Sequence, residues 1–163
     1  MSDADILSDH VREEIDRWKA RFPEDRQRSA VIGALHAVQH ENDGYLTAEL
    51  MNGVADYLDL PTIQVYEVAT FYSMFQTKKV GRHNVAICTN VSCMLRGADD
   101  IVAHVEKKLG VKLGESTPDD KIYLKKEEEC LAACCGAPMM MVDHKYYENL
   151  TPEMVDAILD GLE

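Results

Sequence analysis

Two pairs of cysteines constrain this chain more than anything else in it. Four residues separate Cys88 from Cys93, three separate Cys130 from Cys134, and a fifth thiol, Cys135, follows at once. All five lie in the second half of the 163 residues. A reducing compartment makes a disulfide framework unexpected, and cysteines clustered there serve a metal or redox chemistry. The N-terminus agrees with such a compartment: Met1–Asp9 is acidic and has neither a basic n-region nor an apolar core, so no secretory or transit peptide is expected. No apolar run reaches the roughly 18 residues of a membrane span, and direct membrane insertion is not expected. The net charge of −12 argues against nucleic-acid binding, since a phosphate surface repels an acidic chain.

The thiols divide the chain. Residues 8–75 read as four helices. Val11, Ile15, Trp18 and Phe22 fall at helical spacing, and Pro23 ends that run. Val31, Leu35 and Val38 mark a second helix, stopped by the turn signal Asn42-Asp43-Gly44. Thr47 can cap a third, with Leu50, Val54, Tyr57 and Leu58 on its buried stripe. Pro61-Thr62 opens a fourth, with Val65, Val68, Ala69 and Tyr72 on one face. Each is too short to be stable alone in water, so the helices must pack on one another or on a neighbour.

After Lys78-Lys79-Val80-Gly81 the pattern changes. His83–Cys88 reads as a strand, and Ile101, Val102, Val105 and Leu109 as a helix ending at Gly110. Residues 114–120 read as a polar loop, Lys121–Glu127 and Pro138–Val142 as strands, and Tyr146-Tyr147 as a hairpin partner. Thr151-Pro152 starts a last helix with Val155, Ile158, Leu159 and Leu162 on its face. The order is close to β-α-β-β-β-α, a mixed sheet with packed helices.

Both cysteine pairs then fall on loops at strand ends and can form one site. Four thiolates hold a zinc ion, a [2Fe–2S] cluster or a [4Fe–4S] cluster. The two-plus-two division suits a rhomb of two irons, each taking a pair. A structural zinc module stays open, although the C-x3-C arm is less usual there. A thioredoxin-type thiol enzyme is the third reading, weakened because its motif is C-x-x-C.

The runs Val68-Ala69-Thr70-Phe71-Tyr72-Ser73, Cys88-Thr89-Asn90-Val91-Ser92-Cys93-Met94-Leu95-Arg96-Gly97, Glu129-Cys130-Leu131-Ala132-Ala133-Cys134 and Ala137-Pro138-Met139 carry a resemblance. Together they resemble the E-subunit family of NADH:quinone oxidoreductase (respiratory complex I), from about residue 10 to the C-terminus. The resemblance implies an N-terminal helical bundle, residues 1–78, and a thioredoxin-like [2Fe–2S] ferredoxin domain with a mixed sheet, residues 79–163, an α+β or α/β chain. It places the family's four cluster ligands on Cys88, Cys93, Cys130 and Cys134; Cys135 is a departure from the pattern. It implies a one-electron carrier beside the flavin of a partner that binds FMN and NADH, with other peripheral-arm iron–sulfur subunits nearby, on the cytoplasmic side of the inner membrane. Equivalent subunits serve NAD-linked formate dehydrogenases and hydrogenase diaphorases, which share the cysteines.

The remaining features fit that frame. No Gly-x-Gly-x-x-Gly run is present, so NADH oxidation is expected from a partner and not from this chain alone. Reduction adds negative charge to an already anionic cluster, so an acidic chain with all-thiolate ligation should sit toward the negative end of the roughly −700 to +450 mV range. His36 and His40 are four apart on a helix with no third ligand, and read as a partly exposed face. Glu127-Glu128-Glu129 reads as a solvated strand end, Met139-Met140-Met141 as core packing, and Trp18 and Phe71-Tyr72 as helix packing or a docking face. A cis Pro138 rests on the fold analogy alone. Each half carries a net −6, so no charged tail marks a docking surface, and the helical region, free of chemistry, is its better candidate.

Overall fold

The computed structural model describes residues 6–126 and 130–163. They fall into two compact units, Met1–Lys79 and Val80–Glu163.

In the first unit Ser8 caps α1 (Asp9–Lys19), its hydroxyl accepting from the Val11 N–H, and Val11 and Ile15 are buried. The helix stops at Lys19, short of Phe22, and a 3-10 segment, Glu24–Ala30, leads into α2 (Val31–Glu41). Trp18 is half-buried over Gly33, where a Cβ would run into the indole, and the Arg21 guanidinium lies 4.2 Å from the ring. Thr47 caps α3 (Ala48–Tyr57) as its position predicts. The buried stripe of α3 is Met51, Val54 and Ala55; Leu50, Tyr57 and Leu58 are only half-buried. Helix α4 (Thr62–Phe71) buries Val65 and Ala69. Tyr72 lies past its end and is exposed, which corrects its placing on one helix face with Val65, Val68 and Ala69. Gln39 fastens α2 to the segment after α4, donating to the Met74 carbonyl and accepting from the Gln76 N–H. The core of this unit includes Ile15, Leu35, Val38, Leu46, Val54 and Val65.

Among the described residues of the second unit, β1 (His83–Ile87) is the middle strand of a five-stranded sheet, in the order β2 (Glu115–Ser116), β3 (Ile122–Leu124), β1, β4 (Met140–Val142) and β5 (Lys145–Tyr147). Its last three residues are buried, as a strand covered on both faces requires. β3 (Ile122–Leu124) lies parallel to it, His83 opposite Ile122, and β4 (Met140–Val142) antiparallel, Ile87 opposite Met140. Between β1 and β3 the chain forms a short helix, α5 (Val91–Met94), and then α6 (Ala98–Leu109). Gly110 ends α6 at φ 69°, a left-handed cap that glycine takes without strain. Asp99 and Asp100 in its first turn and Lys107 and Lys108 in its last suit the helix dipole.

The loop expected at residues 114–120 contains a short strand, β2 (Glu115–Ser116), paired antiparallel with β3. Two residues carry too little alternation to be read as a strand; the pairing itself makes it one. The end of the strand expected over Lys121–Glu127, and the run Glu127-Glu128-Glu129, lie outside the described residues. β5 (Lys145–Tyr147) pairs with β4 through a turn at Asp143 and His144, both at positive φ, the geometry that matches strand twist. Thr151 caps α7 (Pro152–Asp160), with Pro152 at its first position. Met139 and Met140 are fully buried and Met141 half-buried, the packing role their strand position implies.

Candidate functional site

The first thiol pair sits where β1 ends. Cys88 continues that strand by one residue, its N–H donating 3.1 Å to the Met139 carbonyl. Asn90 then turns the chain, its side chain accepting from the Val91 N–H to start α5. One turn of helix is enough to point Cys93 inward while Val91, Met94 and Leu95 point out. Cys88 and Cys93 are both buried, beside Ala98, Leu131, Ala137 and Met139.

The second pair comes from the segment ahead of β4. Cys130 is exposed and Leu131 buried, and Ala132 bends the chain at φ 59°, a left-handed conformation that an alanine holds only under tertiary constraint. Cys134 opens a 3-10 turn, Cys134–Gly136, and the Ala137–Pro138 peptide that follows is cis.

These elements bring the sulfurs together. The Cys88 thiol is in hydrogen-bond contact with the thiols of Cys93 and Cys130. Cys134 is near enough for its charge to act on Cys93. Cys135 is exposed. All five are free thiols.

The surroundings treat the two buried thiols oppositely. Burial pushes the Cys88 thiol up, but N–H groups of Leu131 and Asn90, with the thiols of Cys93 and Cys130, pull it below its ordinary value overall. Cys93 is pushed up to about 11 by burial and then by its neighbour Cys88, against the one N–H of Met139 aimed at it. Two adjoining buried sulfurs cannot both be anionic without a compensating charge. A metal centre supplies that charge and releases the remaining proton. Buried sulfurs with backbone N–H groups aimed at them are what an iron–sulfur centre uses to hold its negative charge. The donor set therefore fits a [2Fe–2S] cluster. Among the described residues no three His, Cys, Asp or Glu side chains are grouped closely enough to hold a metal ion.

The two histidines and the aromatic pair singled out in the sequence lie in the helical unit. His36 packs its ring on Phe75 with centroids 4.9 Å apart, and with His40 and Trp18 it lines a groove of about 410 Å³ between α1 and α2. Phe71 is 79% exposed and stacks edge-on against Tyr72, so this pair does not pack the helices of its unit. Sequence reasoning missed the backbone donors of Asn90, Leu131 and Met139. An N-cap residue two positions after Cys88 was a usable signal for the first; nothing in residue type announces the others.

The family model described as thioredoxin-like [2Fe–2S] ferredoxin matches residues 15–163. The chain is 45% identical over 143 residues to the E subunit of NADH-quinone oxidoreductase from Rickettsia conorii (strain ATCC VR-613 / Malish 7), covering 88% of this chain and 85% of that one. It is 42% identical over 151 residues to the E 2 subunit of NADH-quinone oxidoreductase from Rhizobium meliloti (strain 1021), covering 93% and 88%. The mitochondrial NADH dehydrogenase [ubiquinone] flavoprotein 2 of Dictyostelium discoideum is 38% identical, covering 91% of this chain and 60% of that protein. Among solved structures, the air-oxidised NAD+-reducing [NiFe]-hydrogenase superposes with a TM-score of 0.67 at 20% identity. That match covers 78% of this chain but only 22% of the hydrogenase chain, and it speaks to fold alone.

Proposed function

The chain belongs to the thioredoxin-like [2Fe–2S] ferredoxin family, and from that premise we propose that it is the E-type, one-electron carrier subunit of an NADH:quinone oxidoreductase. The observation that carries the reading is the burial of Cys88 and Cys93 in one apolar cluster, with main-chain N–H groups aimed at their sulfurs and with Cys130 and Cys134 on the loop that adds Leu131 to that cluster. These four cysteines are the ligands in this reading, and a bound [2Fe–2S] cluster supplies one-electron redox chemistry there. The chain's own residues do the rest. The main-chain donors of Asn90, Leu131 and Met139 hold negative charge on Cys88 and Cys93. Ala98, Leu131, Ala137 and Met139 keep water from these two sulfurs. Cys130 and Cys134, on the exposed side, open the site toward a redox partner.

That partner is a flavin- and NADH-binding subunit, because this chain has no dinucleotide-binding glycine motif of its own. Other iron–sulfur subunits of the same peripheral arm complete the assembly, on the cytoplasmic side of the membrane. Among the described residues no helix is long and apolar enough to cross a membrane. A diaphorase subunit of a hydrogenase is the second reading, favoured by the shared fold; the E-type relative from Rickettsia conorii matches at more than twice the identity and over most of its length.

Anaerobically purified protein should be red-brown, with about two irons and two sulfides per chain and a visible spectrum that bleaches on reduction. NADH should reduce it only when the flavin subunit is added. A colourless protein holding one zinc would overturn the reading, as would NADH turnover with ferricyanide by the isolated, flavin-free chain.

A further inference from the structure

Building on that assignment of the four cysteines, we infer that Gly136 is a positioning residue for the Cys134 thiolate, working through a close approach to Glu148. Gly136 closes the 3-10 turn that Cys134 opens, and it is buried. Its carbonyl accepts from the Asn149 N–H at 2.6 Å, and the Pro138 carbonyl accepts from the Leu150 N–H at 2.9 Å. Leu150 is anchored in the core of the sheet, one residue before the cap of α7. Two main-chain bonds thus fasten the thiol loop to a fixed part of the unit.

The fastening needs a bare Cα at position 136. A Cβ there would lie on the Glu148 carboxylate and only 2.5 Å from the Glu148 Cβ, well inside the separation at which carbon atoms pack. The carboxylate can swing away on its flexible stem. The Glu148 Cβ cannot move unless its backbone moves. Any side chain at 136 therefore drives the turn away from the Glu148–Leu150 segment and stretches both bonds. Cys134 lies two residues away in the same turn and is carried with it. A ligand thiolate tolerates only about 0.5 Å of such displacement before the site loosens.

The test uses the full chain with its cluster. Gly136→Ala should lose most of its iron per chain and shift the electron paramagnetic resonance line positions of what remains after reduction. Glu148→Ala should not rescue Gly136→Ala, because alanine keeps the offending Cβ. Glu148→Gly should rescue it, restoring iron content and line positions together. Gly81→Ala is the structural comparator: a Cβ there would press on the β3 backbone, 2.6 Å from the Tyr123 nitrogen, away from the thiol loops. It should lower the melting temperature and leave the line positions unchanged. Wild-type iron and spectrum in Gly136→Ala would overturn the inference. So would a Gly136→Ala, Glu148→Gly double variant no better than Gly136→Ala alone, folded or not. A wild-type chain without iron would instead overturn the function proposed above.

Discussion

The two units solve opposite problems. The helical unit, up to Lys79, is held by a periodic apolar core: Ile15, Leu35, Val54 and Val65 are all fully buried. No thiol lies in it. The sheet unit, from Val80, has strands of two to five residues, too short to specify much by themselves. Its candidate ligand cysteines sit on loops and single turns held by tertiary contacts: α5, the bend at Ala132 and the turn at Cys134. The difference teaches that regular elements supply stability while irregular ones, fixed from outside, supply the site. If this is right, substitutions in the two units should report on different observables.

The largest effect is expected from Cys134→Ser, which should lose or strongly perturb the cluster, an alkoxide being a harder and poorer ligand than thiolate. Cys135→Ser should leave iron content and paramagnetic spectrum unchanged. Neighbours in a 3-10 turn project about 120° apart, so only one of the two faces the other sulfurs. Should Cys135 swing in to replace Cys134, only the double variant would lose the cluster fully. Loss in Cys135→Ser with retention in Cys134→Ser would reverse the assignment.

Next comes Ile15→Ala, which empties a fully buried position in the helical unit. It should cost about 2–5 kcal/mol in chemical denaturation and leave the paramagnetic spectrum of folded protein unaltered. A changed spectrum would mean that the two units do not divide the labour as argued.

A smaller loss is expected from Thr47→Ala, which removes the cap on the Leu50 N–H. About 1 kcal/mol of stability should go, again without a spectral change.

The smallest effect probes the sheet unit far from its thiols. The His104 ring, bonded 2.8 Å from the Asp156 carboxylate, and then Lys108 hold that carboxyl below its ordinary range. A depressed folded value stabilises at pH above the unfolded carboxylate value and is lost as pH falls through the folded one. Asp156→Asn should therefore melt slightly lower than wild type at neutral pH, and the two melting curves should converge in strong acid. A difference that persists in strong acid would assign the effect to packing of α6 on α7.

Much of this was legible in the residues. Thr47, Thr151-Pro152 and Gly110 marked helix ends through local chemistry, and each stands where that chemistry puts it. Val11, Ile15, Val54, Val65 and Ala69 were placed by a 3.6-residue period. Tyr72 failed because the helix stops at Phe71 and periodicity does not state its own end. β2 failed because a two-residue strand exists only in its partner.

The sequence by itself determined the helical unit, the sheet class and the thiol spacing, because capping, periodicity and ligand spacing act over a few residues. The tertiary structure decided which sulfurs are buried, which N–H groups face them and why position 136 carries no side chain. Those facts depend on Asn90, Leu131, Met139 and Glu148, which are far apart along the chain and meet only when the sheet has formed. Close approaches between backbones leave no pattern in residue type beyond a lone glycine, and a lone glycine does not name its neighbour.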